Sequence, residues 1–230
     1  MKDTPQMDLA RKLDDVRQRI AAACRRAHRS PAGVTLVVVT KTAGAEVIDE
    51  LVSLGVKDFG ENRVQHAAQK FAAIPRDGFR LHLIGHLQTN KARQAITLFD
   101  MIQSIDSMRV AEAVSREAAA AGKRMPVLLE VNVSGEESKH GFDAESARRA
   151  APRIAALPGL VPEGLMTMAP LGAAQPELRQ VFGGLRELAR RIAAESGVAM
   201  PHLSMGMSQD FETAIEEGAT IVRVGTAITG

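Results

Sequence analysis

The chain has 230 residues, 45% of them apolar, which is enough to bury a large core and suits one domain spanning residues 1–230. Twenty-nine Lys and Arg against 27 Asp and Glu leave a formal charge of +2; the basic residues are dispersed and only 3% of the chain is aromatic, which argues against a nucleic-acid surface. A single cysteine, Cys24, excludes an internal disulfide and has no Cys/His zinc pattern around it, and the absence of Tyr removes any phenolic acid or base from the chemistry.

The first segment, MKDTPQMDLARKLDDVRQRI, is charged throughout, where a signal peptide needs an apolar stretch. No later segment reaches about 18 uninterrupted apolar residues, so the expectation is a cytoplasmic protein with no membrane partner. From Met7 to about His28, Leu9, Leu13, Val16, Ile20, Ala23 and Cys24 recur at helical spacing and predict an amphipathic leading helix. Val34 to Thr40 is short, β-branched and apolar on both alternations, as in a strand buried on both faces of a parallel sheet. A helix follows over 45–54. Further strands are expected over 57–60, 80–85, 101–105, 127–133, 160–166, 201–205 and 220–224, with helices over 107–121, 143–156 and 176–196 among the segments between them. Eight strands alternating with helices in about 200 residues favour an α/β fold of the (β/α)8 TIM-barrel type, with an additional N-terminal helix, over a doubly wound sheet.

In such a barrel, function gathers where the strands end at the C-terminal face. Lys41 follows the first strand. It reads either as a rim lysine that extends its charge into water, or as a desolvated amine that attacks a carbonyl. Asn62 follows the second strand, His86 the third, Ser104 and Asp106 the fourth, Asn132 the fifth, and Thr167 and Met168 the sixth. After the seventh and eighth strands come Ser204-Met-Gly-Met-Ser208 and Arg223-Val-Gly-Thr226, small hydroxyl-bearing segments where barrels often hold phosphate. Gly206 and Gly225 could equally serve only to turn the chain, and Ser208 only to cap a helix beginning near Gln209. Closing the barrel sets the first strand beside the eighth. That places an amine, a phosphate cradle and the Arg223 cation together, three partners that suit the aldehyde, phosphate and ring nitrogen of pyridoxal 5′-phosphate.

Several segments together resemble the pyridoxal phosphate homeostasis protein family, fold relatives of the barrel domain of alanine racemase. They are Val38-Val-Thr-Lys-Thr42, Phe59-Gly-Glu-Asn62 with Gln65, His82-Leu-Ile-Gly-His-Leu-Gln-Thr-Asn-Lys91, Val131-Asn132, Gly164-Leu-Met-Thr-Met168, Leu203-Ser-Met-Gly-Met-Ser208 with Asp210, and Val222-Arg-Val-Gly-Thr226. The resemblance implies that Lys41 carries pyridoxal 5′-phosphate as a Schiff base and that Arg223 faces the pyridine nitrogen. It also implies that Ser204, Gly225 and Thr226 bind the phosphate and that Asn62 lies near the ring. The chain departs from the family pattern at His86, where proline is frequent, and in ending on Ile228-Thr-Gly230.

An arginine opposite the ring nitrogen cannot take up its proton, so the ring would be a weaker electron sink. Alanine racemases place an arginine there too, but add a tyrosine and a second domain that this chain is too short to carry. His66, His82 and His86 are the remaining candidate proton carriers, each also readable as structural. The leading expectation is therefore a monomeric vitamin B6 carrier with no dedicated reaction, handing the cofactor to pyridoxal-phosphate-dependent apoenzymes. An amino-acid racemase or related enzyme of the same fold comes second, and a phosphate-ligand barrel without a Schiff base third. The methionine-rich segments at 166–168 and 205–207 are expected in pocket or core packing.

Overall fold

The computed structural model describes residues 5–136 and 140–230. The leading helix α1 (Pro5–Arg26) buries the expected stripe from Leu9 through Cys24. Eight parallel strands then close into a barrel in chain order: β1 (Thr35–Val39), β2 (Asp58–Glu61), β3 (Arg80–Leu83), β4 (Met101–Ile105), β5 (Met125–Glu130), β6 (Leu160–Met166), β7 (His202–Ser204) and β8 (Ile221–Val224). The seam pairs β1 with β8, Val37 opposite Arg223 and Val38 opposite Val224, so the first and last strands are neighbours. Between strands lie α2 (Ala45–Ser53), α3 (Val64–Lys70), α4 (Ala92–Leu98), α5 (Met108–Ala120), α6 (Ala144–Ala155), α7 (Gln175–Ser196) and α8 (Phe211–Glu216), and α9 (Thr226–Thr229) follows β8.

Strand alternation divides the core in two. Outward residues such as Val38, Phe59, Leu81, Ile102, Leu203 and Val222 pack under the helices in one continuous cluster. Inward residues Val37, Met101, Leu128, Met166 and Ile221 form a smaller core inside the barrel, with Met168 against it. The methionine-rich segments therefore divide between core and cavity, Met166 and Met205 buried and Met168 and Met207 lining the cavity at the barrel mouth. Pro162 sits within β6, where the β5–β6 register shifts, which is how a barrel strand tolerates a residue that cannot donate to the ladder.

Helix α1 lies over the flank near the seam. Arg19 bonds Glu212 at 2.8 Å, Arg26 bonds Glu216 at 2.7 Å, and Arg29 donates to the carbonyls of Ile215 and Ala219 at 2.7 Å each. Cys24 is buried in this contact, and its burial pushes the thiol pKa up. No helix among the described residues is long and apolar enough to cross a membrane.

Candidate cofactor-binding site

A cavity of about 510 Å3 opens at the C-terminal mouth, and five of the six expected residues, Lys41, Asn62, Arg223, Gly225 and Thr226, line it. The strand ends hold them there. Thr40, the residue before Lys41, donates its hydroxyl to Glu61 Oε1 at 2.7 Å, and Lys70 Nζ bonds both the Thr40 carbonyl and Glu61 Oε1. This triad, with Thr40 and Glu61 buried and Lys70 half-buried, ties the end of β1 to β2, leaving the next side chain, Lys41, exposed at the rim. Of the two readings of Lys41, the structure fits the rim lysine, because the residue stands beyond the last ladder bond rather than inside the barrel. Asn62 is positioned by a glycine: a Cβ on Gly85 would lie 2.4 Å from the Asn62 carbonyl oxygen, so only glycine lets the third strand end pass so close.

Arg223 points into the barrel at the cavity floor and is almost fully buried. Burial lowers its pKa to about 10, opposed by the negative charges of Asp210 and Glu130. Its Nη2 donates to the Thr167 carbonyl at 2.9 Å and its Nη1 to Ser204 Oγ at 2.5 Å. Ser204 in turn donates to Gln103 Oε1 at 2.6 Å. The Gln103 amide nitrogen lies 3.0 Å from His82 Nδ1, and His82 Nε2 lies 2.9 Å from Asp58 Oδ1. With the amide donating, Nδ1 must accept and Nε2 must carry the proton. The bonds then run in one direction, from the Arg223 cation through Ser204, Gln103 and His82 to the Asp58 carboxylate, which also meets Arg80 at 2.8 Å. All five side chains occupy inward positions of their strands, which is why they meet across the barrel.

Ser204 therefore departs from its expected place. It is fully buried beneath the cavity and its hydroxyl is committed to Gln103 and Arg223, because position 204 faces the barrel axis rather than the loop. The hydroxyl at the corner belongs to Ser208, whose Oγ accepts from the amides of Gly225 at 3.2 Å and Ala227 at 3.4 Å. Gly206 makes the turn possible: its φ is +92° and a Cβ there would lie 2.6 Å from that of Ala214. Asp210 closes the turn by accepting from the Met207 amide, and burial raises its pKa.

Of the histidines, His82 belongs to the buried chain, His66 is exposed on α3, and His86 lies at the mouth, its Nδ1 2.7 Å from Asp106 Oδ2. Glu130, buried at the end of β5, has its pKa raised to about 7 by burial and then by the charge of Asp106. Sequence reasoning missed Asp58, Gln103 and Glu130, and it offered Ser208 only as one hydroxyl of the corner segment or as a helix cap.

A relative from Aquifex aeolicus named pyridoxal phosphate homeostasis protein is 41% identical over 97% of this chain and 98% of its own length. The chain belongs to the pyridoxal phosphate homeostasis protein family. Residues 12–230 also match the family model described as the alanine racemase N-terminal domain. The Escherichia coli K12 protein of the same name is 38% identical over 97% of this chain and 96% of its own. Among solved structures, PipY of Synechococcus elongatus PCC7942 with PLP bound has a TM-score of 0.85 at 35% identity, covering 96% of this chain and all of that one. Alanine racemase of Clostridium difficile 630 shares the fold alone, with a TM-score of 0.80 at 14% identity; this chain covers 56% of it.

Proposed function

We propose that this protein holds pyridoxal 5′-phosphate at the barrel mouth and serves in keeping and distributing that cofactor. The observation that carries the reading is the convergence of Lys41, Arg223, Gly225 and Thr226 on one cavity. The likeness to PipY, whose structure has PLP bound, supports it. The donor set fits the group. Lys41 offers the amine that holds the aldehyde carbon as a Schiff base; Arg223, charged and pinned from below, donates toward the ring nitrogen; Asn62 stands beside the ring. Ser208 braces the Gly225 and Ala227 amides at the corner that, with Thr226, receives the phosphate. Ser204 acts on the cofactor through Arg223.

When bound, the cofactor supplies an electrophilic imine and an electron sink. On the protein side, an arginine that already donates downward and is held as a cation cannot take the ring proton, and the chain has no tyrosine to serve as a second acid or base. This favours holding and transfer to apoenzymes over turnover. One barrel, acting as a monomer in the cytoplasm, suffices for the role.

The test is to load the purified protein with the cofactor and add each amino acid in turn. The reading expects a shifted near-visible absorbance and no racemization or decarboxylation. Turnover of one amino acid at ordinary enzymatic efficiency, above about 10^4 M⁻¹s⁻¹, would establish the racemase-type reading instead.

A further inference from the structure

At the mouth, His86 after β3, Asp106 after β4 and His140 after β5 bring three metal-binding side chains together, and the cofactor reading uses none of them. Their candidate ligand atoms all lie within 4.8 Å of one another, the one such group found among the described residues. His86 Nδ1 is 2.7 Å from Asp106 Oδ2, and the His86 and His140 rings stack with centroids 4.4 Å apart and planes 19° from parallel. We propose that His86, Asp106 and His140 form a binding site for a divalent transition-metal ion of the zinc and cobalt class.

The argument rests on donor chemistry and reach. Two imidazoles and one carboxylate suit zinc, cobalt and nickel, and suit magnesium or calcium poorly, since those ions prefer all-oxygen shells. Bonds of about 2.0–2.2 Å at a tetrahedral ion set neighbouring ligand atoms roughly 3.3 Å apart. The His86 to Asp106 distance must open by about half an ångström, and the widest separation must close by no more than about 1.5 Å, to meet that geometry. His140 is exposed, so its side chain can supply most of the movement. On binding at Nδ1, the ion takes the place of the proton between His86 and Asp106, and the neutral ring carries its one N–H on Nε2. Ser107 donates to the other Asp106 oxygen at 3.0 Å, which orients the carboxylate as second-sphere partners orient metal ligands. Three protein ligands leave at least one coordination position open to solvent.

His86 stands where the family resemblance expects proline, so this chain carries a ligand that the usual residue could not supply. The site also shares a wall with the cofactor cavity. Gly85, next to His86, lines that cavity, and its carbonyl accepts from Ser104 at 2.6 Å.

The test is calorimetric titration of zinc chloride into the untagged full chain, in cofactor-free and cofactor-loaded forms, with cobalt chloride and its visible absorption as a second probe. The cofactor-free arm makes the result independent of the pyridoxal phosphate reading. The expected result is one ion per chain with micromolar affinity, falling at least about tenfold in His86→Gln, His140→Gln and Asp106→Asn. The two histidine variants alter exposed side chains, so circular dichroism should show an intact fold and they decide the matter if Asp106→Asn misfolds. Absence of saturable one-equivalent uptake at millimolar zinc, or affinity unchanged in both histidine variants, would overturn the proposal.

Discussion

Replacing Gln103 by leucine cuts the hydrogen-bonded chain at its centre while nearly keeping the volume. Gln103 is completely buried; its amide oxygen accepts from Ser204 and its nitrogen donates to His82 Nδ1. Gln103→Leu strands the Ser204 hydroxyl and the His82 ring nitrogen inside the barrel. A buried polar group deprived of its partner costs about 1–3 kcal/mol, so two cost roughly 2–6 kcal/mol, and the added apolar burial of leucine returns about 1 kcal/mol. The expected loss of unfolding free energy is therefore about 1–5 kcal/mol, read by urea denaturation as a lower midpoint at unchanged slope. Because Ser204 would keep only the bond it accepts from Arg223 and lose its anchor across the barrel, cofactor affinity should fall as well, by about tenfold for a weakening of roughly 1.4 kcal/mol. The tautomer gives an independent check: nitrogen-15 spectra of the wild type should show His82 protonated at Nε2 and bare at Nδ1. Loss of less than about 0.5 kcal/mol in Gln103→Leu, the level of an ordinary surface substitution, or a proton on Nδ1 would refute the donor chain.

Glu130 makes stability depend on pH. Its folded pKa, about 7, lies above the ordinary value of 4.5, so the folded state binds more protons between these values and its stability falls as pH rises through that window. Glu130→Gln should therefore gain on the wild type between pH 5 and pH 8, by on the order of 2–3 kcal/mol in paired urea titrations; an unchanged difference would contradict the burial of a chargeable carboxylate. Gly85→Ala should push Asn62 out of place and cost about 1–3 kcal/mol in stability, along with a measurable loss of cofactor affinity in spectral titration. Ser208→Ala removes the brace on the Gly225 and Ala227 amides and should weaken cofactor binding several-fold. Inorganic phosphate should compete less well in the variant, whereas equal competition would place the phosphate elsewhere.

The strand pattern carried most of the architecture. Val34 to Thr40 was readable as a buried parallel strand because both its faces are apolar, and the structure trims it only to Thr35–Val39. Helices α3 and α4, seven residues each, are too short to express a helical period, so a helix was expected between those strands without bounds, whereas the helix expected near Gln209 is α8, which begins at Phe211. At the site, Lys41, Asn62, Gly225 and Thr226 were legible as residues just past strand ends, where a barrel displays them, while the family resemblance supplied the places of Asn62 near the ring and of Arg223, inside β8, at the ring nitrogen. Ser204 and Ser208 could not be told apart in this way. Both are serines in one small-residue loop, and only the end of β7 at Ser204 decides which hydroxyl turns inward. The polar residues inside the barrel carried a signal that went unused: His82 and Gln103 interrupt apolar strands at inward positions, where a polar side chain must find a partner. The Asp58 link could not be anticipated, since it depends on the register that sets Asp58 opposite Arg80.

The central claim is that Lys41 holds pyridoxal 5′-phosphate covalently. Borohydride reduction of the loaded protein followed by peptide mapping tests it most directly. The account predicts loss of the near-visible band and one pyridoxyl-phosphate adduct, on Lys41. An adduct on Lys70 or another lysine would contradict the site, and no adduct at saturating cofactor would contradict the function.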